Sequence, residues 1–379
     1  MNQLFKFCFL FLLSACSLFA HAQELAKICS GGKCGYINRS GAVVIKPKYD
    51  LAEDFSNGLA AVYIKKKWGF VDKQGNYAIA PQYNDARDFG NDIGLVYTRK
   101  NRQWFYINKS NERLTYFPKG EKQYPFKNGI AFYKNEGLIG LMNTEGKVYL
   151  KPTYEVIKEF VDGFARVGTM GNYGIINTDG KVIIEPKYRH IGNWFKNVTW
   201  AAVDAEIWGL VFEDGTFKRI DGVTTIKDFS AEGYAIARKA EKVGFIDTKG
   251  NWVIEPKFDK AKNFVEGLAP ACNDDLWGYI NTKGEWVVQP KYSDAEIFDK
   301  EGFAPVKEKN WGFINRSGAL VVPTNYRITP AFAFTMFNKG FKDGWARVYN
   351  ISKNGWGFIN TSGEVLGGKW YDQAEFFSE

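Results

Sequence analysis

The stretch Trp68-Gly69-Phe70-Val71-Asp72-Lys73-Gln74-Gly75 returns as Trp277-Gly278-Tyr279-Ile280-Asn281-Thr282-Lys283-Gly284 and as Trp311-Gly312-Phe313-Ile314-Asn315-Arg316-Ser317-Gly318. A weaker copy is Trp356-Gly357-Phe358-Ile359-Asn360-Thr361-Ser362-Gly363. Cys34-Gly35, Ile139-Gly140, Tyr173-Gly174 and Val243-Gly244 keep the glycine without the tryptophan; Trp208-Gly209 and Trp104-Phe105 are degenerate. The second position falls at 35, 69, 105, 140, 174, 209, 244, 278, 312 and 357, so ten copies recur every 34 to 36 residues until a last interval of 45. That interval places an insertion near 328–338, and degenerate copies lie near 100–135 and 205–240. Recurrence at this period is the signature of a repeat architecture.

Each copy can be read as backbone chemistry. Asn or Asp followed by two polar residues and Gly, as in Asn38-Arg39-Ser40-Gly41, starts a turn with an Asx side chain and ends it with a residue that tolerates positive φ. The Trp-Gly segment before it is a strand whose glycine permits a close approach. The run after it, such as Val43-Val44-Ile45 or Trp252-Val253-Ile254, is apolar at consecutive positions, which predicts a strand covered on both faces. A proline then ends pairing on that edge (Pro47, Pro81, Pro152, Pro186, Pro256, Pro290), and an aromatic follows two residues later (Tyr49, Tyr83, Tyr154, Tyr188, Phe258, Tyr292). A further strand opens after a glycine, as in Gly58-Leu59-Ala60-Ala61-Val62. Leu25-Ala26-Lys27-Ile28 aligns with that strand, while Tyr371-Asp372-Gln373-Ala374 aligns with Tyr49-Asp50-Leu51-Ala52.

The unit is therefore an all-β, three-stranded antiparallel meander of about 35 residues, too small to bury its own sheet. Ten such units stacked into an open superhelical array are expected, with a closed propeller-like ring as the alternative; propellers ordinarily use four strands per blade and fewer blades. These segments resemble the WG-repeat (KWG) family across most of residues 24–379. The resemblance implies a binding scaffold without an activity of its own.

Composition agrees with repetition. The 379 residues include 39 Gly, 12 Trp, 20 Tyr and 31 Phe but only 2 His, a scarcity that disfavours metal and general-base chemistry. Residues 1–22 read as a signal peptide, with Ala20-His21-Ala22 before the cleavage point and residues 23–379 as a single repeat domain. Leu13-Ser14-Ala15-Cys16 offers a lipid anchor at Cys16 as the minority alternative. No other run is apolar enough to span a membrane. Cleavage leaves 49 basic and 42 acidic residues, a net charge of +7, and His190 as the remaining histidine. In an oxidising compartment Cys29 and Cys34 can bridge a tight turn and cap an array with no preceding neighbour, leaving Cys272 as a buried thiol.

Catalytic chemistry finds no support in the pattern. His190 has no nucleophile motif beside it, and Asp54, Asp72, Asp247 and Glu266 occupy repeated turn or connection positions. No phosphate loop, dinucleotide fingerprint or metal-ligand spacing occurs, so no catalytic, cofactor or metal residue is assigned. Asp274-Asp275 is a turn. The structural repeat residues are Trp68, Gly69, Trp277, Gly278, Trp311, Gly312, Trp356 and Gly357. Two surface features could bind: a basic stripe of Lys48, Lys187, Lys257 and Lys291, and the surplus rings Trp194, Trp200, Trp345 and Trp370. The expected function is an exported, non-enzymatic scaffold for another protein in the periplasm, at the cell surface or outside the cell. The alternative is binding of a glycan or cell-envelope polysaccharide, and nucleic acid is not expected as a partner.

Overall fold

The computed structural model describes residues 24–328 and 339–378. The expected signal segment, Cys16 and most of the insertion lie outside the described residues. The protein is all-β, built of small antiparallel sheets in chain order.

The second unit shows how sequence becomes structure. Ala60–Ile64 pairs with Lys67–Val71, which pairs with Tyr77–Tyr83. In the first unit the turn between the last two strands is held by Asn38, whose Oδ1 accepts the backbone N–H groups of Ser40 and Ala42 at 3.0 Å each. Asp72 and Asn281 repeat this arrangement. Gly41, Gly75 and Gly284 close these turns at φ of 79°, 85° and 76°, as the Asx-x-x-Gly pattern predicts.

The Trp-Gly glycine answers a different demand. The third strand passes through its proline rather than ending there: Trp68 pairs with Tyr83 and Phe70 with Ile79, so three residues bulge opposite Gly69. A Cβ on Gly69 would lie 2.5 Å from the Ile79 carbonyl oxygen. The proline is tolerated because a bulged residue has no ladder partner to satisfy. The expectation that this strand is covered on both faces also needs correction. Ile45, Ile254 and Val288 are buried, but Val43, Val253 and Val287 are exposed, as befits a strand at the sheet edge.

The three-stranded unit gains a fourth, two-residue strand. Leu51–Ala52 directly follows the preceding sheet's Val43–Tyr49 and pairs with Ala60–Ile64. Among the described residues seven sheets have four strands, including the degenerate copy containing Trp208–Phe212, whose last strand shrinks to Phe217–Arg219. The copy containing Gln103–Asn108 has three, and the last two copies merge through Leu320–Arg327 and Trp345–Asn350.

Rings join the units. Where an aromatic follows the repeated glycine it meets a phenylalanine of the following connection: Tyr36 with Phe55 at 4.8 Å between centroids, Phe70 with Phe89 at 4.8 Å, Tyr279 with Phe298 at 4.9 Å. All six are at most 3% exposed, so each pair adds roughly 0.5–1.5 kcal/mol beyond its burial.

The first and last described strands meet. Leu25–Ser30 pairs with Gln373–Ser378, which takes the position that the short edge strand occupies in other units. The likeness extends to single bonds: Asp372 N–H donates to the Cys29 carbonyl as Asp50 N–H donates to that of Tyr63. One hydrophobic cluster unites Ala26, Ile28 and Ile37 with Phe358, Tyr371 and Phe377. The first and last described strands are thus paired with each other rather than left as free edges. The cap assigned to Cys29 and Cys34 therefore has no free edge to cover. These residues are instead a cross-strand pair joined by a disulfide with Cα atoms 4.0 Å apart, at the place where the rings of Tyr63 and Trp68 pack at a tilt in the next unit. Intact-mass analysis after alkylation without reductant should label only Cys272, on unfolding. Replacing both bridged cysteines by serine should cost on the order of 2 kcal/mol, the chain-entropy value for so short a loop. Labelling of Cys29 or Cys34 without reductant would contradict this.

Candidate functional site

The repeated residues are occupied by structure. Trp277 is 9% exposed, while Trp68, Trp311 and Trp356 are half-buried. Trp68, Trp277 and Trp311 each pair across the bulge with an aromatic, and Trp356 packs on Tyr349. Gly278 and Gly312 repeat the tight approach of Gly69, with Val288 and Val322 carbonyl oxygens 2.3 and 2.5 Å from a hypothetical Cβ. Gly357 differs: the Trp370 ring fills the space beside it. Burial grades the consequences. Trp277→Ala should lower stability by about 3–5 kcal/mol and Trp68→Ala by less, read as midpoints of urea denaturation. Equal, near-zero losses would make both rings surface groups.

Lys48, Lys187, Lys257 and Lys291 are exposed, and each ammonium lies 5.0–5.5 Å from the ring centroid of the next residue. Lys257 also donates to the Gly284 carbonyl of the following turn. Equivalent places in other units carry Gln82, Thr153 and Asn325, so lysine does not recur at every copy. These contacts give the lysines a packing role.

The surplus tryptophans are dispersed. Trp194 is buried, whereas Trp200, Trp345 and Trp370 are half-buried. Trp200 stacks on Trp208 and donates its Nε1–H to Asp228 at 2.7 Å. His190 is exposed and stacks on Trp208. Cys272 is fully buried, and burial pushes its thiol up, away from the reactive thiolate. Among the described residues no group of His, Cys, Asp and Glu could hold a metal ion, and no helix is long and apolar enough to cross a membrane.

A cavity of about 1090 Å³ lies where the repeat is most irregular. The sheet containing Gln103–Asn108 lacks the Val-Ile-Pro strand, and its edge strand lengthens from two residues to six, Asp85–Gly90. Three successive connections wall the space. Its apolar surface includes Tyr124, Phe126, Ile130, Phe132, Ile157 and Phe160. Phe132 is flanked by Tyr124 at 6.1 Å and Phe160 at 6.2 Å between centroids. Charges of both signs stand around these rings: Arg87, Asp88, Lys127, Lys158, Glu159 and Asp162. Asp88 is reached by solvent yet surrounded by protein. That desolvation, reinforced by Glu53 and Asp54, raises its carboxyl to about 6. A large concavity with an aromatic wall and a few polar groups is the geometry of a binding site.

Within this wall Asp88 repeats the position of Asp54, and Phe89, Phe126 and Phe160 repeat that of Phe55, whereas Tyr124 and Phe132 depart from the pattern. The clue to the departures was negative: the copy near 100–135 loses its glycine, and Tyr124-Pro125-Phe126 stands where other copies have a charged connection.

A model of the WG containing repeat matches residues 35–68, 68–104, 139–169, 173–204, 244–277, 277–310 and 311–327, more than half of the chain. No curated protein matches the sequence. A crystal structure of a eukaryotic initiation factor is similar in fold, with a TM-score of 0.50 at 10% identity over 94% of this chain and 98% of that one. Kluyveromyces lactis Hsv2 aligns with a TM-score of 0.35 and 13% identity over 52% of this chain and 70% of its own. PorZ, a surface component of the type-IX secretion system of Porphyromonas gingivalis, aligns at 0.29 and 7% over 86% and 52%.

Proposed function

Because the chain belongs to the family of WG-containing repeat proteins, we propose that it is an exported, non-enzymatic scaffold that binds another protein. The observation that carries this is a division of labour. The repeated turn and bulge residues are consumed by structure, while the cavity opens at the irregular copy, where Tyr124 and Phe132 depart from the repeat and add rings to the wall. Its mixture of rings and charges suits a polypeptide better than a glycan, for which a row of open indole faces would be expected. Export to the periplasm, cell surface or exterior rests on the pattern of residues 1–22 and agrees with a bridged Cys29 and Cys34.

Cross-linking of the mature protein in its own cell envelope tests the function. A captured protein whose recovery falls with Phe132→Ala is expected. Retention on cell-wall polysaccharide without any captured protein would replace the proposal with the glycan alternative. Fractionation with intact-mass measurement tests export, for which a mature chain beginning at Gln23 outside the cytoplasm is expected.

A further inference from the structure

Resting on the scaffold function just proposed, the identity of the cavity's occupant can be narrowed by its charges. Lys127 is ion-paired with Glu159 at 3.0 Å. Arg87 turns to Asp85 at 3.4 Å and lies over the Trp104 ring, 5.0 Å from its centroid. Two of the three wall cations are thus engaged by groups of the protein, and Glu159 is engaged with them. Asp88 and Asp162 remain against Lys158. Glu53 and Asp54 add negative charge beside Asp88, and Lys27 is held by Asp54 at 3.5 Å. The field at the Asp88 end is therefore negative, in a recess whose rings lie within the same wall.

We propose that the cavity receives a partner polypeptide segment that places a lysine or arginine side chain at Asp88 and an adjacent apolar side chain against Phe132 and Phe160. The pairing is complementary in both parts. A cation relieves the repulsion among Asp88, Glu53 and Asp54, and its alkyl stem and neighbour cover ring faces that water now wets. An acidic segment would meet the opposite field, and a purely apolar one would leave Asp88 desolvated without a partner.

The experiment pans a random twelve-residue peptide library on the full mature chain and measures the selected peptides by fluorescence anisotropy. A consensus with Lys or Arg next to an aromatic or aliphatic residue is expected, with affinity falling at least tenfold for Asp88→Asn and for Phe132→Ala. Thermal melting by circular dichroism verifies that each variant is folded, and Phe132→Leu substitutes if Phe132→Ala is not. Panning on Asp88→Lys should shift the consensus toward Asp or Glu. A consensus without a cation, or affinity indifferent to Asp88→Asn, overturns the proposed chemistry while leaving a protein-binding scaffold in place. So does affinity indifferent to both variants, which moves the site elsewhere. If no peptide is selected but the envelope cross-linking captures a protein, the inference fails and the scaffold stands; if neither binds, both fall.

Discussion

Truncation before Gln373 should destabilise the protein by more than about 5 kcal/mol, with the damage starting at Leu25–Ser30. The deleted strand supplies the antiparallel partner of that first strand. It also carries Phe377, 4% exposed, whose ring lies 5.1 Å from Phe358 and beneath the Arg39 guanidinium. Loss of a buried phenylalanine alone costs about 3–5 kcal/mol, and each abandoned ladder bond contributes roughly 1 kcal/mol more. Arg347, 3% exposed, would lose the Glu375 carboxylate and the Ala374 carbonyl it donates to, leaving a buried charge with fewer partners. Urea denaturation, limited proteolysis and small-angle scattering should agree. The truncated chain is expected to unfold at lower urea, to be cut first near residues 25–38 and to show a larger radius of gyration. A truncated chain with the full-length midpoint and radius would mean that the pairing of the ends does not organise the molecule. Phe377→Ala should reproduce about 3–5 kcal/mol of the loss without shortening the chain.

Gly278→Ala should cost about 3 kcal/mol or more, a large effect for one added methyl group. Its Cβ would lie 2.3 Å from the Val288 carbonyl oxygen and 2.8 Å from the Pro290 nitrogen. Those atoms belong to backbone pinned by the Tyr279–Val288 and Trp277–Tyr292 pairs, so relief requires the bulge to open. Gly363→Ala is the matched control. That glycine has φ of 81° and no atom within 4 Å of its would-be Cβ, so only the backbone preference is lost, about 1 kcal/mol. Denaturation midpoints of the two variants should therefore separate clearly. If Gly278→Ala were no worse than Gly363→Ala, the repeated glycine would be a matter of local conformation rather than of strand approach.

Several elements were legible from residues alone because their causes lie within a few positions of each other. Asn38 and Gly41 announce their turn because an Asx acceptor and a positive φ are local requirements. Gly69 and Gly278 announce a close approach, though whether to a ring or to backbone needed coordinates. Pro81 misled: it looked like the end of a strand because the bulge that accommodates it depends on the facing glycine. Leu51–Ala52 could not be recognised as a strand, since two residues carry no alternation and their partner belongs to the next unit.

The candidate site was less legible still. Asp88, Phe132 and Phe160 come from three successive units, the first two on the strands Asp85–Gly90 and Ile130–Asn135, and nothing in any one repeat reveals that they share a cavity. Of the three, Phe132 alone falls where the pattern is lost, near 100–135. The sequence by itself determined the repeat period, the three longer strands of each regular unit and their turns, because each is set by backbone chemistry repeated every 34 to 36 residues. Only the tertiary structure decided that Leu25–Ser30 meets Gln373–Ser378 and that an irregular unit leaves a cavity. Both depend on small rotations between neighbouring sheets that accumulate over ten units and are encoded in no single one.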